Sequence, residues 1–454
     1  MECFIVYAKD LEGRIDPYHY KQEFNELNKL IKQLNIKKLG EIAKFQYGIN
    51  ETSKEKGDIV YVRITDIDEN GMLKINNLSY IDYTSKYKDY KLKKGDVLIA
   101  RIGATFGKSY YFDEDFDAVF AGYLIRIILH SEEINSKYLF YFLHTKYFWQ
   151  QANMLVKGTA QPQFNSNTIK DLLIPILNKQ TQLNIIQIMD EAYHLKKQKE
   201  AEGKQLLNSI DHYILSELDI KMPQLIDKTH NIVYSINSNY LASNRWDPFY
   251  YQAKFEGVEK AIENGKYETK KIGEILTIND KLEDISKYSQ IKYVDLASIR
   301  KDIGLVEKIK IFYPTEAPSR ARQKLGYGDL LLSGLNGSLT SIAVFDKKEN
   351  NYIASTGFFI IKKSDEYNNI YLLALFRSLP YQLLLSREAS GAIMSSINRD
   401  SLSNIRIPLP PIEIQNKIAE EVKNRIQQVE KLQKEAKEAL ENAKKDVEML
   451  ILDG

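Results

Sequence analysis

The chain has 454 residues, which is long for one compact core and favours two or three domains. Its composition, 44% hydrophobic and 27% charged, is ordinary for a globular protein, and a net charge of +2 excludes the global basic signature of a small DNA-binding domain. The single cysteine, Cys3, excludes a disulfide framework and a cysteine-based zinc site. With no leader and no apolar run near about 18 residues, we expect a cytoplasmic protein that does not span a membrane.

An internal repeat, offset by about 233 residues, runs along the chain. GRIDPYHYKQEF corresponds to NRWDPFYYQAKF, KKLGEI to KKIGEI, and YVRITDIDENGML to YVDLASIRKDIGL, with Gly71 opposite Gly304. Further on, LKKGDVLIARIGATFGKSYYF corresponds to LGYGDLLLSGLNGSLTSIAVF, and KGTAQPQFNSNTIKDLLIPI to SGAIMSSINRDSLSNIRIPL, with Pro175 opposite Pro408. The chain therefore contains two copies of one domain, each of roughly 160 residues.

Each copy combines strands and helix in the same order. Short β-runs with glycine turns come first, as in DIVYVRIT, GDVLIAR and SYYF. A helical stretch follows, SKYLFYFLHTKYFWQQA in the first copy and NIYLLALFRSLPYQLLLS in the second, and then a polar loop and a strand that ends in Ile-Pro. The sequence therefore predicts an α+β protein with two tandem mixed α/β domains.

A long helix is predicted after each domain. Apolar or small residues recur at helical spacing in both, with Arg425 as one break: Leu183, Ile186, Tyr193, Leu207, Ile214 and Leu218; then Ile418, Val422, Val429, Leu432, Ala436, Ala439, Ala443 and Leu450. The polar middle of the first helix, Lys196 to Lys204, makes it weak in isolation. We therefore expect the two helices to pair as an antiparallel coiled coil, roughly 60 Å long.

These patterns set the predicted domain boundaries. The order is a first domain at 1–180, a central long helix at 181–218, a linker at 219–245, a second domain at 246–411, and a C-terminal long helix at 412–454.

One glycine-rich stretch approaches a nucleotide-binding loop. In VLIARIGATFGKSYYF, three residues separate Gly103 from Gly107, whereas a P-loop needs four, and a strand rather than a helix is predicted to follow. The second copy has no Gly-Lys pair. We therefore interpret this stretch as a backbone turn on a small basic loop.

Other catalytic patterns also fall short. WDPFY and IDPYHY lack the second proline of the D-P-P-[YF] methyltransferase motif, and no glycine-rich S-adenosylmethionine loop precedes them. The Glu202 to Lys204 EGK stretch has no partner Pro-Asp strand, and the six histidines have no metal-ligand spacing. We predict no catalytic residue and no metal site.

Two segments carry a family likeness: LLIPILNKQTQLNIIQIM, with Gln182, and IRIPLPPIEIQNKIAEEV, with Gln415. Together with KGDVLIAR, YGDLLLSG and the duplication itself, they resemble the specificity subunits of Type I restriction-modification systems. The resemblance covers essentially the whole chain. The first copy departs from it in having IPILNKQTQ where the second has IPLPPIEIQ.

The resemblance implies a function and a set of partners. Each mixed domain would be a target recognition domain that reads one half of an asymmetric, bipartite site in double-stranded DNA, and the coiled coil would set the spacer. Two DNA adenine methyltransferase subunits and the restriction/translocase subunits would bind this chain. S-adenosylmethionine, ATP and magnesium would belong to those partners, so that this chain itself needs no cofactor.

Candidate DNA contacts lie in corresponding loops of the two copies. In the first copy they are Lys44, Gln46, Tyr47, Arg101, Thr105, Lys108, Lys157, Thr159, Gln161, Gln163 and Asn165. In the second they are Arg320, Arg322, Lys324, Ser333, Asn336, Ser338, Thr340, Ser390, Ser395, Ser396, Asn398 and Arg399. Gln and Asn can pair bidentately with adenine and Arg101 with guanine, whereas the lysines and the Arg320 to Lys324 cluster suit phosphates.

Two alternatives stay open. One is a specificity subunit that serves a Type II-like enzyme in which nuclease and methylase are fused. The other is a coiled-coil scaffold with no role on DNA, which would lack the steep salt dependence of a DNA-reading protein.

Overall fold

The computed structural model describes residues 34–156, 164–223, 249–389 and 396–453. They form two compact units: Met1–Gln198 with Glu435–Gly454, and Lys199–Lys434. Each division falls within a long helix, so each unit contains one mixed domain and part of both long helices. The two units are described separately below.

The first unit is built on a four-stranded antiparallel sheet. Its strands are β1 (Ile36–Lys38), β2 (Ala43–Tyr47), β3 (Ile59–Val62), β4 (Tyr80–Ile81), β5 (Val97–Ala100), β6 (Ser109–Tyr111), β7 (Ala118–Phe120), β8 (Leu124–Leu129) and β9 (Leu173–Pro175). The main sheet has the order β2-β8-β5-β6, a second sheet has the order β4-β3-β7, and β1 pairs with β9. The helices are α1 (Leu39–Ile42), α2 (Ser136–Phe142), α3 (Lys146–Val156), α4 (Ser166–Lys170) and the start of α5 (Lys179–Glu217).

The second unit repeats this plan with one strand fewer in the main sheet. Its strands are β10 (Thr269–Lys271), β11 (Ile291–Val294), β12 (Ile299–Arg300), β13 (Leu305–Val306), β14 (Lys310–Phe312), β15 (Ala321–Lys324), β16 (Leu330–Ser333), β17 (Ile342–Val344), β18 (Tyr352–Ser355), β19 (Phe358–Ile361) and β20 (Arg406–Pro408). The sheets have the orders β17-β16-β19, β14-β11-β18-β15, β12-β13 and β10-β20. The helices are α6 (Ala253–Glu263), α7 (Ile272–Ile275), α8 (Asn369–Arg377), α9 (Leu379–Glu388), α10 (Arg399–Asn404) and the start of α11 (Ile412–Asp453).

The predicted repeat is confirmed in the strand register. Ile36 pairs with Pro175 in the first unit, and Thr269 pairs with Pro408 in the second. A buried tyrosine hydroxyl donates to the carbonyl of each proline, Tyr138 at 3.0 Å and Tyr371 at 2.8 Å. The α+β class with two mixed domains is therefore confirmed.

The predicted helical stretch of each domain is not one helix but two. The hydroxyl of Thr145, which lies between α2 and α3, donates to the carbonyl of Phe142 at 2.7 Å. Ser378, between α8 and α9, donates in the same way to Leu375 at 2.7 Å. A hydroxyl that bonds the preceding turn competes with the helix ladder, so the helix ends there.

The two long helices pack against each other within each unit. In the first unit Ile185 and Met189 of α5 share a buried cluster with Leu440 and Val447 of α11. In the second unit Ile214, Leu218, Ile418 and Val422 do the same. The start of one helix lies against the end of the other in both, as the antiparallel prediction requires.

The contacts between the two long helices differ in part from the predicted apolar seam. Leu183 is 53% exposed, and Ile185 is buried in its place. The polar middle of the first helix, including Gly203, is helical throughout. Arg425, which breaks the seam, donates to the carbonyl and the hydroxyl of Ser209 on α5 at 2.8 and 2.9 Å. In the described parts of the chain, no helix combines the length and the apolar character needed to cross a membrane.

Candidate nucleic-acid interface

Three of the predicted loops of the first domain meet at one end of its main sheet. They are the end of β2, the residue after β5, and the start of α4. The amide of Phe164 donates to the carbonyl of Arg101 at 2.7 Å. The hydroxyl of Tyr47 accepts from the amide of Ser166 at 3.0 Å and donates to its hydroxyl at 3.1 Å. We call Tyr47, Arg101, Phe164 and Ser166 the first loop cluster.

The guanidinium of Arg101 lies over an aromatic ring. Its central carbon is 5.1 Å from the ring centroid of Tyr47, which is within the range of a cation–π contact. Burial favours the neutral phenol, but the hydrogen bonds from Ser166 and the charge of Arg101 outweigh it, and the pKa of Tyr47 is lowered. The cluster therefore positions one cation by a ring that is itself anchored at its hydroxyl.

The second domain contains the equivalent backbone arrangement. The amide of Ile397 donates to the carbonyl of Gly334 at 2.8 Å, which matches the bond between Phe164 and Arg101. Arg399 stands where the first domain has Ser166, and its guanidinium donates to the carbonyl of Ile278 at 2.9 Å. We call Ile278, Gly334, Ile397 and Arg399 the second loop cluster.

The asparagines beside the two clusters cap helices. The side-chain oxygen of Asn165 accepts from the amides of Asn167 and Thr168, both at 3.0 Å. Asn398 accepts from the amide of Ser401 at 2.7 Å. Bidentate pairing with adenine uses the amide oxygen as well as the nitrogen. The oxygen of Asn165 already accepts from three donors, so Asn165 would have to release part of its cap to pair in this way, whereas Asn398 accepts from Ser401 and has a second lone pair for a base.

The glycine-rich loop of the first domain forms a tight turn that leads into a strand. Gly103 and Gly107 have φ values of +69° and +79°, in the left-handed region that favours glycine, and Ser109 begins β6. The predicted strand after this loop is thus confirmed. Thr105 is exposed, and its hydroxyl donates to the carbonyl of Ile102 at 3.2 Å.

Lys108, at the end of this loop, is bound to the protein. Its ammonium donates to the carbonyl of Ile67 at 2.5 Å. Burial, together with the charge of Lys74, lowers the pKa of Lys108. The ammonium has three donors, so a phosphate contact through Lys108 would share it with the carbonyl of Ile67.

Lys44 and Gln46, both on β2, differ in their surroundings. Lys44 is exposed. The amide of Gln46 donates to the carbonyl of Asp89 and accepts from the guanidinium of Arg126, which is buried. Gln46 therefore forms part of a hydrogen-bond network within the sheet, and its base-reading groups are already used.

The hairpin after β16 carries the corresponding candidates of the second domain. Ser333 is fully buried, and its hydroxyl accepts from the amide of Leu335 at 3.2 Å. Asn336 and Thr340 are exposed, Ser338 is half-buried, and the side-chain oxygen of Asn336 accepts from the amide of Gly337. The tip of this hairpin therefore presents Asn336 and Thr340 to solvent.

A basic stripe lies on the edge strand β15. Arg322 and Lys324 are exposed, whereas the alternating residues Ala321 and Gln323 are buried. Arg320, just before the strand, is also exposed, and its carbonyl accepts from the amide of Thr356 at 2.9 Å. Over the residues that the structure describes, no ion pair involves these three cations.

Of the remaining candidates, the structure describes Ser396, which is exposed and pairs with Leu335 in an isolated bridge. Six others lie outside the described residues: Lys157, Thr159, Gln161, Gln163, Ser390 and Ser395.

Sequence reasoning missed three contributors to the first loop cluster. Ser166 anchors Tyr47, Phe164 donates to the carbonyl of Arg101, and the carbonyl of Tyr123, a residue that is 58% exposed, accepts from the amide of Arg101 at 3.0 Å. The repeat itself could have pointed to Ser166, because it corresponds to the candidate Arg399.

The glutamines of the family-like segments are structural anchors. Gln182 accepts from the amide of Asn135 at 2.8 Å and donates to the carbonyls of Glu133 and Leu177. Gln415 accepts from the amide of Asn368 at 3.0 Å and donates to Pro410 at 2.8 Å. Each thus ties the start of a long helix to the mixed domain before it. No group of His, Cys, Asp and Glu that could hold a metal occurs in the described ranges.

The chain matches one protein family, described as "Type I restriction modification DNA specificity domain", over residues 31–206 and 264–442. Two relatives come from Methanocaldococcus jannaschii. The "Type I restriction enzyme MjaVIII specificity subunit" is 25% identical over 41% of this chain and 46% of its own length. The "Putative type I restriction enzyme MjaX specificity subunit" is 28% identical over 37% of each. This chain thus matches less than half the length of these relatives.

Two solved structures are also similar to this chain. One comes from a study titled "Structural basis underlying complex assembly and conformational transition of the type I R-M system", with a TM-score of 0.49 and 16% identity over 92% of this chain and 96% of that chain. The other is the "Type-I restriction-modification system S subunit from M. genitalium", with a TM-score of 0.44 and 14% identity over the same shares.

Proposed function

Because this chain belongs to the family of Type I restriction-modification DNA specificity subunits, we propose that it selects the DNA sequence on which its partner subunits act. Each mixed domain reads one half of a bipartite target in double-stranded DNA. The chain itself is not an enzyme. It acts in the cytoplasm, where the chromosome and incoming DNA are accessible.

One observation carries this proposal: the two units build the same loop cluster at the same place. The bond from Phe164 to Arg101 is 2.7 Å long and its counterpart from Ile397 to Gly334 is 2.8 Å. Two similar surfaces on one chain suit two separated segments of one duplex. A scaffold without a DNA role has no need for such a repeated polar end on both domains.

The side chains of the two clusters favour an asymmetric target. The first cluster has Arg101 and Ser166 where the second has Gly334 and Arg399. Bases are distinguished by the pattern of donors and acceptors that meets them, so different side chains at equivalent positions select different half-sites. The cations of β15 supply phosphate contacts in the second domain.

The partners supply the chemistry. Two DNA adenine methyltransferase subunits bind this chain, one for each half-site, and restriction/translocase subunits join them. S-adenosylmethionine, ATP and magnesium belong to those subunits. The paired helices α5 and α11 set the spacer between the half-sites.

Long-read methylation sequencing tests the proposal directly. The chain is expressed with the methyltransferase encoded beside it, in cells that lack other adenine methylation. We expect N6-methyladenine at one asymmetric bipartite motif, which disappears when this chain is omitted. Omission is the control, because an orphan methyltransferase with its own specificity would retain its motif.

The opposite result is equally clear. An assembled and active methyltransferase complex that methylates no bipartite motif would overturn the proposal. It would leave a scaffold role for the paired helices.

A further inference from the structure

We propose that Arg101 reads one guanine in the half-site bound by the first domain, and that the equivalent position of the second domain, Gly334, has no side chain to read a base. This inference rests on the proposed function and names the base that one residue selects. The major-groove edge of guanine presents two acceptors, O6 and N7, which match the paired donors of a guanidinium.

The protein itself fixes the position of Arg101 before any ligand binds. Its amide donates to Tyr123 and its carbonyl accepts from Phe164, so the main chain is fixed on both sides. The ring of Tyr47 lies 5.1 Å from the guanidinium carbon, and two hydrogen bonds to Ser166 fix that ring. A side chain that is already ordered loses less conformational entropy when it binds a base.

Arg101 differs from other arginines near the sheet ends in what its guanidinium contacts. Arg126 donates to Asp96, Gln46 and two carbonyls, and Arg399 donates to the carbonyl of Ile278. For Arg101, no carboxylate within the described residues forms an ion pair. Its Nε is buried and has no hydrogen-bond partner among those residues. The guanidinium of Arg101 is thus positioned by an aromatic ring and is not neutralised by a carboxylate.

In the second domain, steric hindrance prevents an equivalent side chain. Gly334 occupies the position of Arg101, and a Cβ atom built there would lie 2.7 Å from Cε2 of Phe359. A side chain therefore does not fit unless that ring moves. The guanidinium of Arg399 lies nearby but is bound to main-chain carbonyls, so it positions the loop.

The experiment combines one atom of the DNA with one residue of the protein. The assembled complex of this chain and its methyltransferase is titrated with its mapped target, in which each guanine in turn is replaced by 7-deazaguanine. This base keeps Watson–Crick pairing and loses the N7 acceptor. The same series is repeated with Arg101→Met, which keeps an unbranched side chain of similar length but has no N–H donor for O6 or N7.

We expect the wild-type complex to lose roughly 10-fold in affinity at one guanine of one half-site. Arg101→Met should bind the unmodified target more weakly and be indifferent to 7-deazaguanine at that position alone. Arg322→Met, the same change at an exposed arginine of β15, is the matched control and should keep the wild-type pattern. Tyr47→Leu, which removes the ring beneath Arg101, should reduce the sensitivity at the same guanine.

Several results would overturn the inference while leaving the proposed function intact. One is a target whose guanines all tolerate loss of N7 in the wild-type complex. Another is a sensitivity pattern that is identical in wild type and Arg101→Met. If the variant complex does not assemble, the wild-type scan and Tyr47→Leu still decide. A wild-type complex that binds the unmodified target no better than an unrelated duplex of the same length would instead contradict the proposed function itself.

Discussion

Just beyond α2 the first unit places a half-buried His144, and at the end of α8 the second unit places Arg377 at the corresponding position. The left-handed glycines Gly71 and Gly304 lie against them: a Cβ atom on either would lie 2.9 Å from His144 Nε2 or Arg377 Nη1. A hydrogen bond joins His144 to the hydroxyl of Ser109 at 3.1 Å, whereas Arg377 donates to the carbonyl of Asp302. One backbone plan thus accepts a neutral ring in one unit and a permanent cation in the other.

The loop clusters differ in the same way. Residues that set the backbone are the same type in both units, as with the helix-capping asparagines and the anchoring glutamines. Residues that stand on that backbone, such as Arg101 and Gly334, are not. The repeat therefore keeps the backbone geometry and changes the side-chain chemistry, as the proposed recognition of two different half-sites requires.

The largest expected effect concerns the anchoring glutamines. Gln182→Ala removes three hydrogen bonds made by a buried side chain and should destabilise the first unit by about 3 kcal/mol, at about 1 kcal/mol per bond. Gln415→Ala removes two and should cost the second unit about 2 kcal/mol. Hydrogen exchange at the amides of Asn135 and Asn368 measures each effect locally.

Gln180→Ala is the control, because that exposed glutamine donates to Asn184 on its own helix and should change nothing measurable. If both buried glutamines behaved like the control, their anchoring role would be contradicted. A larger effect of Gln415→Ala would contradict the expected difference between the two units.

The next effect distinguishes His144 from Arg377 through pH. Burial, with a smaller contribution from Lys444, lowers the pKa of His144 from 6.5 to about 3, while Asp68 opposes the shift. The unfolded chain therefore binds the proton first as the pH falls, and stability decreases below about pH 6.5. Between pH 7 and pH 5 the first unit should lose about 2 kcal/mol.

Tryptophan fluorescence isolates this effect. The chain has two tryptophans, so in a Trp246→Phe background Trp149, on α3, reports urea unfolding of the first unit alone. His144→Gln should remove about 2 kcal/mol of the difference between pH 7 and pH 5, because no imidazole remains to titrate. An unchanged pH dependence in His144→Gln would show that other groups are responsible. Arg377 stays charged across this range, so the second unit has no matching loss.

A smaller effect tests the distribution of charge between the domains. Arg322→Ala with Lys324→Ala should weaken DNA binding about 10-fold at physiological salt and reduce the slope of log affinity against log salt by about 2. The matched pair is Lys91→Ala with Lys94→Ala, because those lysines are already bound to Asp117 and Asp115 at 2.6 and 2.5 Å. Equal changes in salt slope for the two double variants would contradict the assignment. Titration of the assembled complex at several salt concentrations measures both.

Sequence alone predicted the features that repeat and that depend on one residue type. Gly71 and Gly304 have φ values of +73° and +71°, and Pro175 and Pro408 end equivalent strands. Toward the end of α11 the seam differs from the prediction, because Leu440, Val447 and Ile451 are buried rather than Ala439 and Leu450. In its first half Val422 and Val429, which have only polar residues within two positions on either side, are buried as predicted. Such positions have one structural solution, so the pattern identifies them.

Other features have two local solutions that a pattern does not separate. Leu183, Ile185 and Ile186 all lie within one turn of α5, and the partner helix decides which of them is buried. Thr145 is compatible with a helix until its hydroxyl bonds the preceding turn. At the interface the same difficulty holds for amides: Gln46 in a loop-like stretch serves equally as a base reader or as part of an internal network.

The smallest effect resolves this ambiguity for the capping asparagines. Asn165→Ala should destabilise the first unit by about 1 kcal/mol, the usual loss for a helix cap, because three donors lose their acceptor. Asn398→Ala removes one such bond and should cost less. Unfolding of the Trp149 reporter measures the first, and hydrogen exchange at the amide of Ser401 measures the second.

Asn165→Asp then separates capping from base reading at the same residue. A cap needs only the side-chain oxygen, which aspartate retains, so stability should return to that of wild type. Paired contact with adenine also needs the amide nitrogen, which aspartate lacks. If Asn165 only caps α4, the methylation motif stays unchanged in Asn165→Asp. If an adenine in one half-site becomes degenerate while stability is restored, Asn165 contacts DNA as well, and the first domain then reads adenine with a residue that its own fold already employs.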